Sequence, residues 1–66
     1  MTKDQHNTLQ QLRYLIRKTG YFAFEKGGTF MLYRESDVPG ERNSLVLKSA
    51  DIKYFYNKSR KIVMGS

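Results

Sequence analysis

One aromatic stretch decides the fold: YFAFEKGGTFMLYRE, at residues 21–35. Two apolar arms flank Gly27 and Gly28, and glycine readily adopts the positive φ angles that a two-residue hairpin turn requires. The stretch therefore predicts a β-hairpin centred on the two glycines.

Both faces of this hairpin are apolar, so the sequence leaves open which of them is buried. With the two glycines as the turn, Phe24 is opposite Met31 and Phe22 is opposite Tyr33, so these four residues share one face. The other face carries Tyr21, Ala23, Phe30 and Leu32. Whichever face the rest of the chain leaves uncovered is expected to expose aromatic side chains in a contiguous patch, which is typical of a binding surface.

The residues before the hairpin predict a helix over residues 4–18. Its apolar stripe consists of residues that recur at helical spacing: Leu9, Leu12, Leu15 and Ile16. Thr2 and Gln5 have the spacing of a capping box, in which each side chain satisfies a backbone donor. Gly20 is expected to end the helix in a left-handed conformation.

The residues after the hairpin predict a loop, a short strand and a second helix. Turn-forming residues dominate residues 36–44, and residues 45–48 form an apolar run. Ser49 is expected to cap a helix whose apolar side carries Ile52, Phe55, Tyr56 and Ser59. The predicted fold is α+β: an N-terminal helix, a three-stranded antiparallel sheet and a C-terminal helix, with both helices on one sheet face.

Composition predicts a single small basic domain over residues 1–66. The chain has no cysteine and one histidine, His6, so neither a disulfide framework nor a Cys- or His-based metal site is expected, and no cofactor is predicted. The polar N-terminus and the lack of a long apolar run predict no secretion signal, no membrane partner and a cytoplasmic location.

Charge is the strongest compositional signal. Twelve Lys and Arg residues against six Asp and Glu residues give a net charge of +6. Such an excess favours an anionic partner: a nucleic acid, a membrane surface or an acidic protein. The alternative is that the charge serves solubility alone, since small domains often carry a net charge of about 2 to 8.

The sequence does not predict an enzyme. His6 lies in the first turn of a helix without a carboxylate placed to orient it, and the carboxylates are scattered over different elements. The segment of residues 26–29 resembles a phosphate-binding loop, but it leads into a strand rather than a helix. It is read as a hairpin turn in which Lys26 could still contact a phosphate of a larger partner.

One family is loosely similar. The chain resembles HicA-type toxins in its order of helix, sheet and helix, and in having Gly20-Tyr21 followed by Lys26-Gly27-Gly28. HicA-type toxins are small RNA-cleaving proteins with a fold like that of double-stranded-RNA-binding domains. Those toxins carry a histidine just after the glycine turn, where this chain has Thr29. The resemblance therefore implies an order of elements and does not extend to RNA cleavage.

Two surfaces are candidates for binding. The polar side of the C-terminal helix carries Lys53, Tyr54, Asn57, Lys58, Arg60 and Lys61, residue types that contact phosphates, base edges and stacked bases. The alternative is a solvated basic face that complements the helix dipole. The hairpin supplies the other candidate residues: Lys26, Phe30, Tyr33 and Arg34.

The favoured function is a small, non-catalytic nucleic-acid-binding regulator, monomeric or homodimeric. The alternative is a phage- or plasmid-type inhibitor that binds a host protein or a nucleoprotein complex through its sheet face. Aromatic residues would then supply the main binding contacts, and the positive charge would steer association.

Overall fold

The computed structural model describes residues 2–65 and has the predicted α+β architecture. Along the chain the elements are α1 (Lys3–Ile16), β1 (Tyr21–Lys26), β2 (Thr29–Arg34), β3 (Ser44–Ser49) and α2 (Ile52–Met64). The three strands form an antiparallel sheet in the order β1-β2-β3. Among residues 2–65, no helix is long and apolar enough to cross a membrane.

Helix α1 begins with the predicted capping box but ends earlier than expected. Thr2 Oγ1 accepts a hydrogen bond from Gln5 N at 3.1 Å, and Thr2 N donates to Gln5 Oε1 at 3.0 Å. The helix ends at Ile16 because Arg17 is extended, with a ψ angle of 146°. Thr19 then bonds to the Ile16 carbonyl through both its backbone N–H, at 3.2 Å, and its hydroxyl. The predicted end near residue 18 was therefore too late.

The hairpin has the predicted turn and register. Gly27 and Gly28 have φ angles of 60° and 85°, so the turn needs residues that tolerate positive φ. Glu25 Oε2 accepts a hydrogen bond from Gly28 N at 3.0 Å and ties the turn to β1. Phe22 pairs with Tyr33, which places the two rings on the same face.

The helices cover the face that carries Ala23, Phe30 and Leu32. These residues join three residues of α1 and one of α2 in the buried core: Leu9, Leu12, Ile16, Ala23, Phe30, Leu32 and Phe55. Phe30 and Phe55 contact each other with ring centroids 5.7 Å apart. The choice that the sequence left open is thereby decided, and the face with Phe22 and Tyr33 points away from both helices.

Strand β3 and the start of α2 differ from the prediction in detail. Ser49 belongs to β3, where it pairs with Phe30, so it is not the helix cap. Asp51 caps α2 instead, and its side chain accepts from Lys53 N at 2.9 Å and Tyr54 N at 3.3 Å. A bulge leaves Val46 unpaired between the residues opposite Leu32 and Tyr33.

Candidate nucleic-acid interface

The outward side of α2 brings six predicted site residues together. We call this surface the basic face: Lys53, Tyr54, Asn57, Lys58, Arg60 and Lys61. At about 100° per residue these six positions span roughly 160° of the helix circumference. The buried residues Phe55 and Ser59 lie on the opposite side of the helix, so the basic face points away from the buried core.

The basic face has a single sign of charge. Four of its six residues are cations, and residues 52–64 include no Asp or Glu. The nearest acidic residue in the sequence is Asp51, which is engaged as the N-cap. A ligand that approaches this face therefore meets positive charge along the length of the helix.

A favourable interaction with the helix dipole does not explain where the cations of α2 lie. Lys61 lies in the last turn, where a cation is favourable, but Lys53 lies in the first turn, where a cation is unfavourable. The positive charge at Lys53 therefore opposes the stability of the helix start.

Aromatic side chains shape the basic face. The Tyr54 side chain is 51% exposed, and it borders a shallow depression together with Asn57, Lys58 and Lys61. The Arg60 guanidinium lies 5.6 Å from the centre of the half-buried Tyr56 ring, a distance suited to a cation–π contact. This contact favours an ordered position for Arg60 at the edge of the face.

The open side of the sheet carries a second candidate surface, which we call the aromatic face: Phe22, Phe24, Met31 and Tyr33. The three rings are nearly parallel, with interplanar angles of 10° to 14°. Their centroids lie 5.5 Å apart for Phe22 and Tyr33, 5.4 Å for Phe24 and Tyr33, and 6.1 Å for Phe22 and Phe24. All four side chains remain partly exposed.

Two lysines flank the aromatic face. Lys26 follows Phe24 by two residues on β1, and Lys48 pairs with Met31 across the β2–β3 ladder. Because side chains alternate along a strand, both lysines project to the same side as the rings. Lys26 was predicted as a contact residue, whereas Lys48 was missed because its side of the sheet depends on its pairing with Met31, which local sequence does not determine.

Two predicted contacts on the sheet do not belong to either surface. Phe30 is 1% exposed and lies in the core, so its prediction as a surface contact was wrong; the helices cover its face. Arg34 is exposed at the end of β2, where it borders a depression with Glu35, Asp37, Glu41 and Arg42. These carboxylates give the surroundings of Arg34 a mixed charge, unlike the basic face.

The sequence predicted which side chains of the aromatic face lie together but not that this face is the open one. The glycine turn determines which side chains lie together, but Phe22 and Phe24 could be assigned to the open face only once the helices were placed. Asn43, which borders the depression formed by Phe22, Phe24 and Tyr33, carried no signal because it lies in an irregular loop.

Within the part of the chain that the structure describes, no three His, Cys, Asp or Glu residues are grouped so that they could hold a metal ion. Comparisons of the chain with protein-family models, with curated proteins and with solved structures found no match.

Proposed function

We propose that this protein is a non-catalytic regulator that binds nucleic acid through the basic face of α2. The observation that carries the proposal is the gathering of four cations on one outward helix face without an acidic residue in the helix. Phosphate contacts of this kind supply most of the affinity of a protein for nucleic acid and set its orientation.

Duplex DNA is the form of nucleic acid that suits this face. An α-helix with its side chains is about 10–12 Å across, close to the width of the major groove of B-DNA, roughly 12 Å. The major groove of duplex RNA is too narrow for side chains to read. The outward half of α2 can therefore approach DNA, while its inner half stays packed on the core.

The basic face offers different contacts along its length. Lys53, Lys58 and Lys61 are suited to phosphates, which position the protein without reading sequence. Asn57 lies at the centre of the face, and an asparagine side chain can make a bidentate contact with adenine. Arg60 can pair with guanine in the same way. These two residues are the candidates for sequence preference.

A charge-neutralising variant tests the proposal. Lys53→Gln, Lys58→Gln and Lys61→Gln are combined, and Arg60 is kept because its side chain also covers Tyr56. Affinity for labelled duplex DNA is measured by fluorescence anisotropy at several salt concentrations. We expect weaker binding, and a dependence of log K on log salt that is shallower by about 0.9 for each phosphate that the variant no longer neutralises.

The matched control removes the same charge elsewhere. Lys3→Gln, Arg13→Gln and Arg42→Gln alter three exposed residues on α1 and in the loop before β3. Both triple variants carry three positive charges fewer than the wild type, so they have the same net charge. If the control weakens duplex binding as much as the α2 variant does, the affinity comes from overall charge and the assignment to α2 is wrong.

A further inference from the structure

We propose that the aromatic face binds unpaired bases of a single-stranded nucleic acid. This inference goes beyond the proposed function, because it concerns a second surface and single-stranded rather than duplex nucleic acid. Bases that stack on aromatic side chains are the usual means by which proteins hold single strands, because every base has a π-face.

The ring cluster has the chemistry that this ligand needs. Phe22, Phe24 and Tyr33 lie within 6.1 Å of one another and are nearly parallel, so they form one preassembled aromatic surface. The rings come from two paired strands, β1 and β2, whose backbone is held by the ladder. A ligand therefore meets a rigid surface and loses little free energy in ordering it.

The charge around the rings fits a phosphate backbone. Lys26 and Lys48 project to the side of the sheet that carries the rings, at the end nearer the hairpin turn. The strand residues that the register places on this side include no acidic residue: Phe22, Phe24, Lys26, Thr29, Met31, Tyr33, Leu45 and Lys48. Rings next to cations match the alternation of base and phosphate in a single strand.

A polar group borders the same depression. Asn43 lines it together with Phe22, Phe24 and Tyr33. Its Oδ1 accepts a hydrogen bond from Ser36 N at 3.1 Å, which orients the side chain. The amide nitrogen of Asn43 is a donor and can bond an acceptor on the edge of a stacked base.

Two other occupants fit this face less well. Bases of a duplex are already stacked on one another, so they are not available to the rings unless the duplex opens. A second copy of the chain would bring a net charge of +6 against another +6 and would place lysines close to lysines. Charge complementarity therefore favours a single-stranded polyanion.

Removal of two rings tests this inference. Phe24→Leu and Tyr33→Leu are combined, since leucine keeps the surface apolar and removes the π-faces. The matched control is Tyr14→Leu, which removes a ring that is 66% exposed on α1. The probes are labelled single strands of about ten nucleotides, as DNA and as RNA, and a labelled duplex. Circular dichroism checks that each variant is folded.

The expected result is a roughly 5- to 150-fold loss of single-strand affinity in the ring variant, with unchanged duplex affinity and no loss in the control. Single-strand affinity that is unchanged in the folded ring variant would overturn the inference. The inference would also be overturned if single-strand affinity fell in the α2 lysine variant and not in the ring variant. The proposed function would then stand.

The two proposals fail in different ways. If the wild type binds single strands but no duplex, and the ring variant binds neither, the aromatic face is confirmed and the role of α2 in duplex binding is wrong. If the folded ring variant keeps both its single-strand and its duplex affinity while the α2 variant loses duplex affinity, the proposed function stands and the inference for the aromatic face is wrong.

Discussion

Ser59 is the clearest conflict with local physical chemistry in the chain. It is fully buried on the inner side of α2, and its Oγ has no hydrogen-bond partner within residues 2–65. A buried hydroxyl without a partner costs about 1–3 kcal/mol. A serine in the middle of a helix is also less favourable than an alanine, which has the highest helix propensity.

We therefore expect Ser59→Ala to raise the free energy of unfolding by about 1 kcal/mol. In a domain of this size that corresponds to an increase in Tm of about 4–8 °C. Thermal unfolding followed by circular dichroism measures it, with the exposed Ser44→Ala as the control. A lower Tm for Ser59→Ala would mean that the hydroxyl makes a stabilising contact in solution.

Helix α2 depends on its cap for its position. Asp51 accepts hydrogen bonds from Lys53 N and Tyr54 N, the first two residues of the basic face. The cap thus both satisfies the free N–H groups of the first turn and fixes where the basic face begins.

Asp51→Ala is expected to lower the free energy of unfolding by about 1 kcal/mol through loss of the cap. Asp51→Asn is the matched control, because asparagine keeps the acceptor oxygen and caps helices nearly as well. Urea unfolding of the three proteins gives the comparison. Equal destabilisation by both changes would show that the negative charge, rather than the hydrogen bonds, stabilises the helix start.

At the level of elements, most of the fold could be predicted from local signals. The capping box at Thr2 and Gln5 and the glycine turn determine the start of α1 and the hairpin register. The start of α2 was misplaced because Ser49 and Asp51 are both good caps, and only pairing of Ser49 with Phe30 assigns it to β3. That pairing depends on tertiary contacts, which local sequence does not encode.

Of the two candidate surfaces, one could be predicted from local sequence and the other depends on tertiary packing. The basic face follows from helical periodicity alone, and the structure places all six of its predicted residues on the outer side of α2. The aromatic face does not follow from strand periodicity, because Phe30 and Tyr33 are both aromatic and lie on opposite sides of one strand. Which of them is exposed depends on where the helices pack.

At the scale of the whole molecule, the two candidate surfaces lie on different sides of a thin domain. Its smallest extent is 16 Å, measured between Cα positions. Because the helices cover one side of the sheet and the aromatic face lies on the other, the basic and aromatic faces are on different sides of the molecule. One short nucleic acid cannot contact both faces in a straight path, so the two proposals together require a separate ligand for each surface.

We therefore expect one protein molecule to hold a duplex and a single strand at the same time. Native mass spectrometry of the protein with both oligonucleotides should show a complex with one copy of each component. The α2 lysine variant should keep only the single strand, and the ring variant only the duplex. Mutual displacement of the two oligonucleotides from the wild type would show that they share one site.

The most direct test of the central claim is the salt dependence of duplex DNA binding by the wild-type protein. Phosphate contacts from Lys53, Lys58 and Lys61 predict a slope of about −2.7 for log K against log salt, or roughly a 40-fold loss of affinity between about 50 and 200 mM salt. The absence of duplex binding at low salt, or an affinity that does not change with salt, would contradict the account.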